Sequence, residues 1–176
     1  MINKPKKNLF TQCSPDNFTA YVIVHPDDFA LSLKKTAKQD TTKYKFLLKQ
    51  RVRKLLNSRV SVYLLNLDLD SLDPPAFLSE FQGEKRFYII PTLKKDSVDS
   101  QANRLKFELS KFIGLKKIIF TGGWRNACLK HTLNNTITGI QRISFIEKID
   151  KPFKAQLHYK KSKMDVIVMC DHEFIF

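Results

Sequence analysis

Residues 116–132 read KKIIFTGGWRNACLKHT, and the reading of this stretch decides the fold. Lys116 to Phe120 is a short β-branched and aromatic run, the composition of a buried strand. Thr121-Gly122-Gly123 follows as a turn, and residues 125–136 read as a helix that Gly139 ends. Strand, tight turn and helix in succession carry the start of the helix beyond the carboxyl end of the strand, where open α/β sheets bind ligands. Asn126 reads as the N-cap, which sets Cys128 in the first helical turn. There the positive end of the helix, with Arg125 and Lys130 nearby, favours thiolate and so nucleophilicity. Gly122 and Gly123 permit the turn and offer amide hydrogens to an oxyanion. Trp124, Arg125 and His131 are the expected pocket residues, with Trp124 able to wall a flat ligand.

Working outward, Phe18 to Val24 (FTAYVIV), Val60 to Leu67 (VSVYLLNL) and Arg86 to Ile90 (RFYII) read as three more strands. Residues 26–38 can start a helix at Pro26, and residues 41–57 form a clearer amphipathic one around Tyr44, Leu48, Val52 and Leu55. Val98, Ala102, Leu105, Leu109 and Phe112 repeat as one face of a helix, and Gly114 stands where a helix C-terminal glycine belongs. Ile140 to Ile146 is expected as a fifth strand. Gln156 to Tyr159 and Val166 to Met169 are further strand candidates around a turn at 160–163. Strands alternating with helices predict a three-layer α/β sandwich with a mainly parallel, Rossmann-like sheet, and the helix-free tail predicts an antiparallel C-terminal edge. Residues 1–176 read as a single domain, with 1–15 a flexible basic segment.

The chain is long enough to bury roughly two thirds of its unfolded surface, and its 14 phenylalanines supply a core. Three cysteines with no framework spacing predict reduced thiols and a cytoplasmic setting, with export by a signal not readable from the sequence as the alternative. No apolar run approaches the roughly 20 residues of a membrane helix, so no membrane span is expected. The formal charge is +14, and residues 1–60 hold thirteen Lys or Arg against four Asp and no Glu. Such a field attracts anions. The basic residues 34–59 are therefore an expected surface for an acidic protein or nucleic-acid partner. Lys43, Lys49, Arg53 and Lys54 fall off the apolar stripe, as ordinary surface charges also do. No aromatics interleaved with glycine in the manner of an RNA-recognition motif occur in the sequence. A small-molecule substrate and a homodimer complete the expected partners. No P-loop or dinucleotide fingerprint occurs, and no cofactor is expected.

The unit Thr121-Gly122, Cys128 and Thr132 resembles that of the isochorismatase-like cysteine hydrolases, in which Cys follows the Gly by six residues and Thr follows the Cys by four. The resemblance covers most of residues 18–148, and its motif lies in 116–136. It implies an α/β fold, a cysteine nucleophile and a small amide or other acyl substrate. That family's Asp at the end of the first strand aligns with Val24, and its Lys after the third strand aligns with Pro91. The resemblance thus leaves His25, Asp27 or Lys94 as displaced substitutes for base and cation. With base and cation displaced, a catalytically inactive domain of the same fold that binds a protein or polyanion stands as the alternative.

His25-Pro26-Asp27-Asp28 also resembles the metal-binding opening of the PIG-L/LmbE-like de-N-acetylases, which implies a second alternative, a metal-dependent deacetylase. Phe29 stands where that family has Glu, and His131, His158 and His172 lie outside its His-x-Asp-His pattern, so no metal is expected. Asp171-His172-Glu173 reads as a solvated strand edge, with Asp171 and Glu173 on one face and His172 on the other. Asp68, Asp70 and Asp73 read as an acidic turn.

Overall fold

A computed structural model describes residues 18–26, 41–66, 73–90, 98–123, 125–138, 146, 149 and 151–175. The apolar runs form the strands expected of them: β1 (Thr19–Val24), β2 (Ser61–Leu65), β3 (Phe87–Ile90) and β4 (Lys117–Gly122). The two tail candidates extend into a hairpin, β5 (Phe153–Tyr159) and β6 (Ser162–Ile175). The helices are α1 (Thr42–Asn57), α2 (Val98–Ser110) and α3 (Lys130–Thr136), the last entered through a π-helical turn at Arg125–Leu129. A 3-10 helix, Ala76–Phe81, follows the Pro74-Pro75 pair.

The six strands form one sheet in the order β3-β2-β1-β4-β6-β5. All neighbours are parallel except β5 with β6. The fold is therefore α/β with an antiparallel C-terminal pair, as the sequence predicts. The chain leaves β1 toward β2 on one side and returns to β4 on the other, so the direction of winding reverses between β1 and β4.

Alternation along the strands builds two cores. Ala20, Val22, Val24, Ile118 and Phe120 face α2 and α3, against Leu105, Leu109, Leu129 and Leu133. Tyr21, Ile23 and Ile119 face the opposite side, against Tyr44, Leu48, Val52 and Leu55 of α1 and against Leu78 and Phe81. The stripe of α1 is thus buried as its spacing predicts. Gly114 takes φ +81 just beyond α2, as expected of a helix-ending glycine.

Gly122 has a different constraint. Its φ is +120, and a Cβ there would stand 2.1 Å from the Val24 carbonyl oxygen. Only glycine lets β4 approach β1 this closely. Gly123 continues the join, donating its N–H to the Val24 carbonyl at 2.9 Å.

The C-terminal Asp171-His172-Glu173 segment departs from the expected solvated edge. Asp171 and Glu173 do share a face, but Asp171 is only 5% exposed. Its carboxylate accepts from the Tyr21 hydroxyl at 2.7 Å and from Arg51 of α1 at 2.9 Å. Arg51 also binds Glu173, and its guanidinium lies over the Phe174 ring. The expectation failed because β6 lies inside the sheet beside β4, where a carboxylate facing α1 is buried and needs a cation. Asn126 is also corrected: the helical run begins at Arg125, so Asn126 lies within it and is not its cap. The strand expected at 140–146 and the helix expected at 26–38 fall almost wholly outside the described residues, and the segment 1–15 lies wholly outside them.

Candidate functional site at the carboxyl edge of the sheet

His25 follows the last residue of β1 and is 2% exposed. It adopts φ 44, a left-handed conformation that non-glycine residues rarely take. Two bonds hold it there. Its N–H donates to the Leu65 carbonyl at 3.0 Å, which ties it to the end of β2. Its ring Nε2 lies 2.8 Å from Oε1 of Gln101, which is itself buried on α2. An amide oxygen only accepts, so with this amide orientation Nε2 carries the proton and Nδ1 the lone pair. The ring therefore turns toward the α2 and α3 side of the sheet.

Cys128 comes from the adjacent strand. β4 pairs with β1 through Val24 and Gly122, and the turn after it leads into the π-helical segment that carries Cys128. The thiol is half-buried and packs against the core on the α2 and α3 side. Cys128 and His25 thus leave neighbouring strands at the same edge and on the same side, where the winding reverses. Four residues on, Thr132 is fully buried. Its Oγ1 has no hydrogen-bond partner, while its carbonyl accepts from the Thr136 hydroxyl at 2.6 Å.

The other expected residues distribute as follows. Asp27, Lys94 and Trp124 lie outside the described residues, as do Asp68 and Asp70. Gly122 acts in the close approach of two strands. The Gly123 amide is bound to Val24, so it is committed within the sheet and is not presented to an oxyanion. Arg125 is half-buried and donates from Nη2 to the Ile175 carbonyl at 3.3 Å, which fastens the turn to the end of β6. His131 is exposed on α3. Asp73 is exposed and bound through its carboxylate by Gln82 and through its carbonyl by Asn66. Among the described residues no three His, Cys, Asp or Glu side chains gather as metal ligands. His172 binds the Ile149 carbonyl at 2.9 Å and His158 is exposed on β5. No described helix is long and apolar enough to cross a membrane.

Gln101 is the site residue that the sequence reading missed. It precedes Leu105 by four positions and so lies on the apolar stripe of α2. A polar side chain on a buried stripe must find a partner, and that was the available signal.

Cys170 offers a contrast to Cys128. It is buried on β6, and burial, reinforced by neighbouring Asp171, pushes its thiol up to about 12. Such a thiol is inert at neutral pH. Half of the six basic side chains of α1 are engaged in ion pairs, since Lys49 and Arg53 both bind Glu80 and Arg51 binds Asp171. Comparison with family models, with curated proteins and with solved structures finds no match to this chain.

Proposed function

We propose that the chain is a cysteine hydrolase of the isochorismatase-like type, acting on a small amide or other acyl compound at the carboxyl edge between β1 and β4. The observation that carries this reading is His25: buried, held at φ 44 and fixed by Gln101, beside the strand whose following turn bears Cys128. Backbone strain at a strand end is kept where a site needs a side chain aimed against its local preference. A π-helical turn is a second local irregularity of the kind found at functional sites. Base, nucleophile and an orienting third group are the three parts that an activated cysteine requires.

In the reaction, His25 takes the thiol proton of Cys128. The sulfur attacks the acyl carbon, forming a C–S bond. The C–N or C–O bond to the leaving group breaks, and His25 returns the proton to the departing amine or alcohol. Water, deprotonated by the same ring, then attacks the thioester, releasing the carboxylic acid and the free thiol. The oxyanion donors are groups other than the committed Gly123 amide.

Native-state alkylation of the thiols across pH tests this reading. A thiol titrating well below the free value of about 8.5, absent in Cys128→Ser and shifted in His25→Gln, supports it. A Cys128 that reacts only when the protein unfolds refutes it. That outcome favours the second reading, a non-catalytic binding domain, for which the packing of Cys128 against the apolar core is the supporting observation.

A further inference from the structure

The opposite edge of the sheet carries a second, differently built surface. Because β1 to β4 and β6 run parallel, the residues that open them lie along one edge. Arg59 precedes β2, Lys85 and Arg86 precede β3, and Lys116 and Lys117 open β4. The β5–β6 hairpin turns at this edge as well. Ile167 of β6 pairs with Lys117, so the turn at Lys160 and Lys161, with Lys163, projects past the start of β4. α2 runs back from β3 to this edge and contributes Lys111 just beyond its end. Nine cations thus face three carboxylates among the described residues of this edge, Glu84, Glu108 and Asp165. Two of the three are already hydrogen-bonded, Glu108 by Lys111 at 2.7 Å and Asp165 by Gln156 at 2.9 Å.

Aromatic rings lie between these cations and are open to solvent. Phe18, Tyr88 and Phe107 are 42%, 39% and 42% exposed. The Lys116 ammonium sits 4.7 Å from the Phe18 ring centre, Lys111 3.8 Å from that of Phe107, and Lys160 5.5 Å from that of Tyr159. Phe107 and Tyr159 meet at 5.5 Å, which joins the end of α2 to the hairpin tip. Tyr88 stacks on Tyr63 with centroids 4.9 Å apart and planes 19° from parallel. The two tyrosines line a groove of about 450 Å³ together with Lys85, Arg86 and Lys111.

We infer that this amino-terminal edge is a binding surface for single-stranded nucleic acid, with Tyr88 as a stacking platform and the surrounding lysines and arginines holding the phosphates. Flat exposed rings alternating with cations match the two repeating parts of a single strand, unpaired bases and backbone charge. A duplex keeps its base faces stacked internally and offers these rings nothing. An anionic lipid surface needs a continuous apolar face, whereas this edge exposes two aliphatic side chains of note among the described residues, Ile113 beyond α2 and Ile167 on β6. The surface is separate from the carboxyl-edge site and does not depend on the reading of Cys128.

The test is fluorescence anisotropy with a labelled thymidine oligomer, longer than the roughly 4–16 nucleotides that one such platform covers. Wild type is expected to bind it more tightly than the same length of duplex. The logarithm of affinity should fall linearly with the logarithm of salt, by about 0.7 for each phosphate neutralised. Tyr88→Ala should weaken binding roughly tenfold or more, and Lys85→Ala with Arg86→Ala should flatten the salt slope. Lys151→Ala, exposed before β5 at the end away from the hairpin turn, should leave both unchanged and serves as the folded control. Equal affinity for duplex, or a Tyr88→Ala variant that binds as wild type while unfolding at the wild-type midpoint, overturns the inference. Tighter binding to phosphatidylserine vesicles than to the oligomer also overturns it, in favour of a membrane surface.

Discussion

The Tyr21 hydroxyl donates to the Asp171 carboxylate at 2.7 Å across 150 residues of chain. This bond lies under α1 and joins the first strand to the sixth, with Thr121 of the intervening β4 donating to the Asp171 carbonyl at 2.9 Å. Burial, and then the Asp171 charge, raise the Tyr21 hydroxyl well above its ordinary range, so it stays protonated as the donor. Arg51 supplies the balancing charge.

Removing Arg51 leaves the Asp171 carboxylate buried without its cation. Arg51→Ala is expected to cost about 3–5 kcal/mol, the usual result of breaking a buried ion pair from one side. Tyr21→Phe removes one donor to the same carboxylate and should cost less, about 1.5–3 kcal/mol. Urea unfolding midpoints measure both. The reverse order would mean that Glu173, and not Asp171, carries the pairing with Arg51.

Stability should fall on the alkaline side. Cys170 is held up to about 12 in the folded protein against an ordinary value of 9.0. Between these values the unfolded chain loses its proton and is stabilised by doing so, while the folded chain is not. The contribution is therefore complete below pH 9 and is lost progressively as pH rises toward 12. Tyr21 and Tyr63, both raised by burial, add to the same decline above about pH 10. Cys170→Ala should flatten the first part of the decline, as read from urea midpoints at about pH 8 and about pH 10.5.

Gly122→Ala places a methyl group against the backbone of the neighbouring strand, 2.1 Å from the Val24 oxygen and 2.6 Å from its nitrogen. Backbone cannot swing aside as a side chain does. The expected loss is on the order of 3 kcal/mol or more, with separation of β1 from β4 as the only relief. Thermal unfolding measures the loss. A near-neutral effect would show that the two strands are farther apart than described.

Gln101 separates structure from chemistry at the carboxyl edge. Gln101→Leu removes the acceptor that His25 Nε2 uses and should cost about 1–3 kcal/mol. It should also slow native alkylation of Cys128, because the ring loses its fixed orientation. Gln101→Glu keeps an acceptor for Nε2 and should restore the alkylation rate. If both variants alkylate as wild type, His25 is no base for Cys128.

Much of the fold was legible because local pattern and tertiary burial agreed. The stripe Tyr44, Leu48, Val52 and Leu55 is buried as written, and the strand runs of β1 to β4 needed no context. Asp171 was not legible, since nothing near it in sequence reveals an arginine 120 residues away. Gln101 was legible only as an anomaly on an apolar stripe. The aromatic and basic edge was invisible for a related reason. Phe18, Tyr88 and Phe107 are far apart in the chain, and only the parallel sheet and the return of α2 bring them to one side.

The position of β6 also bears on how the chain is made. β6 follows every other described strand in sequence, yet it sits between β4 and β5. As the chain leaves the ribosome, the apolar edge of β4 must wait for roughly forty further residues before its neighbour begins to appear. At about 5–20 residues per second, that is a delay of several seconds. Throughout it, KIIFTG presents an unpaired strand edge, the kind of segment on which nascent chains aggregate. Pairing of the β5–β6 hairpin with β4 closes that edge, and the Arg51 and Tyr21 contacts to Asp171 form in the same event. Completion of the sheet thus waits for β6, and the interval before it is when a holdase chaperone would matter most to this protein.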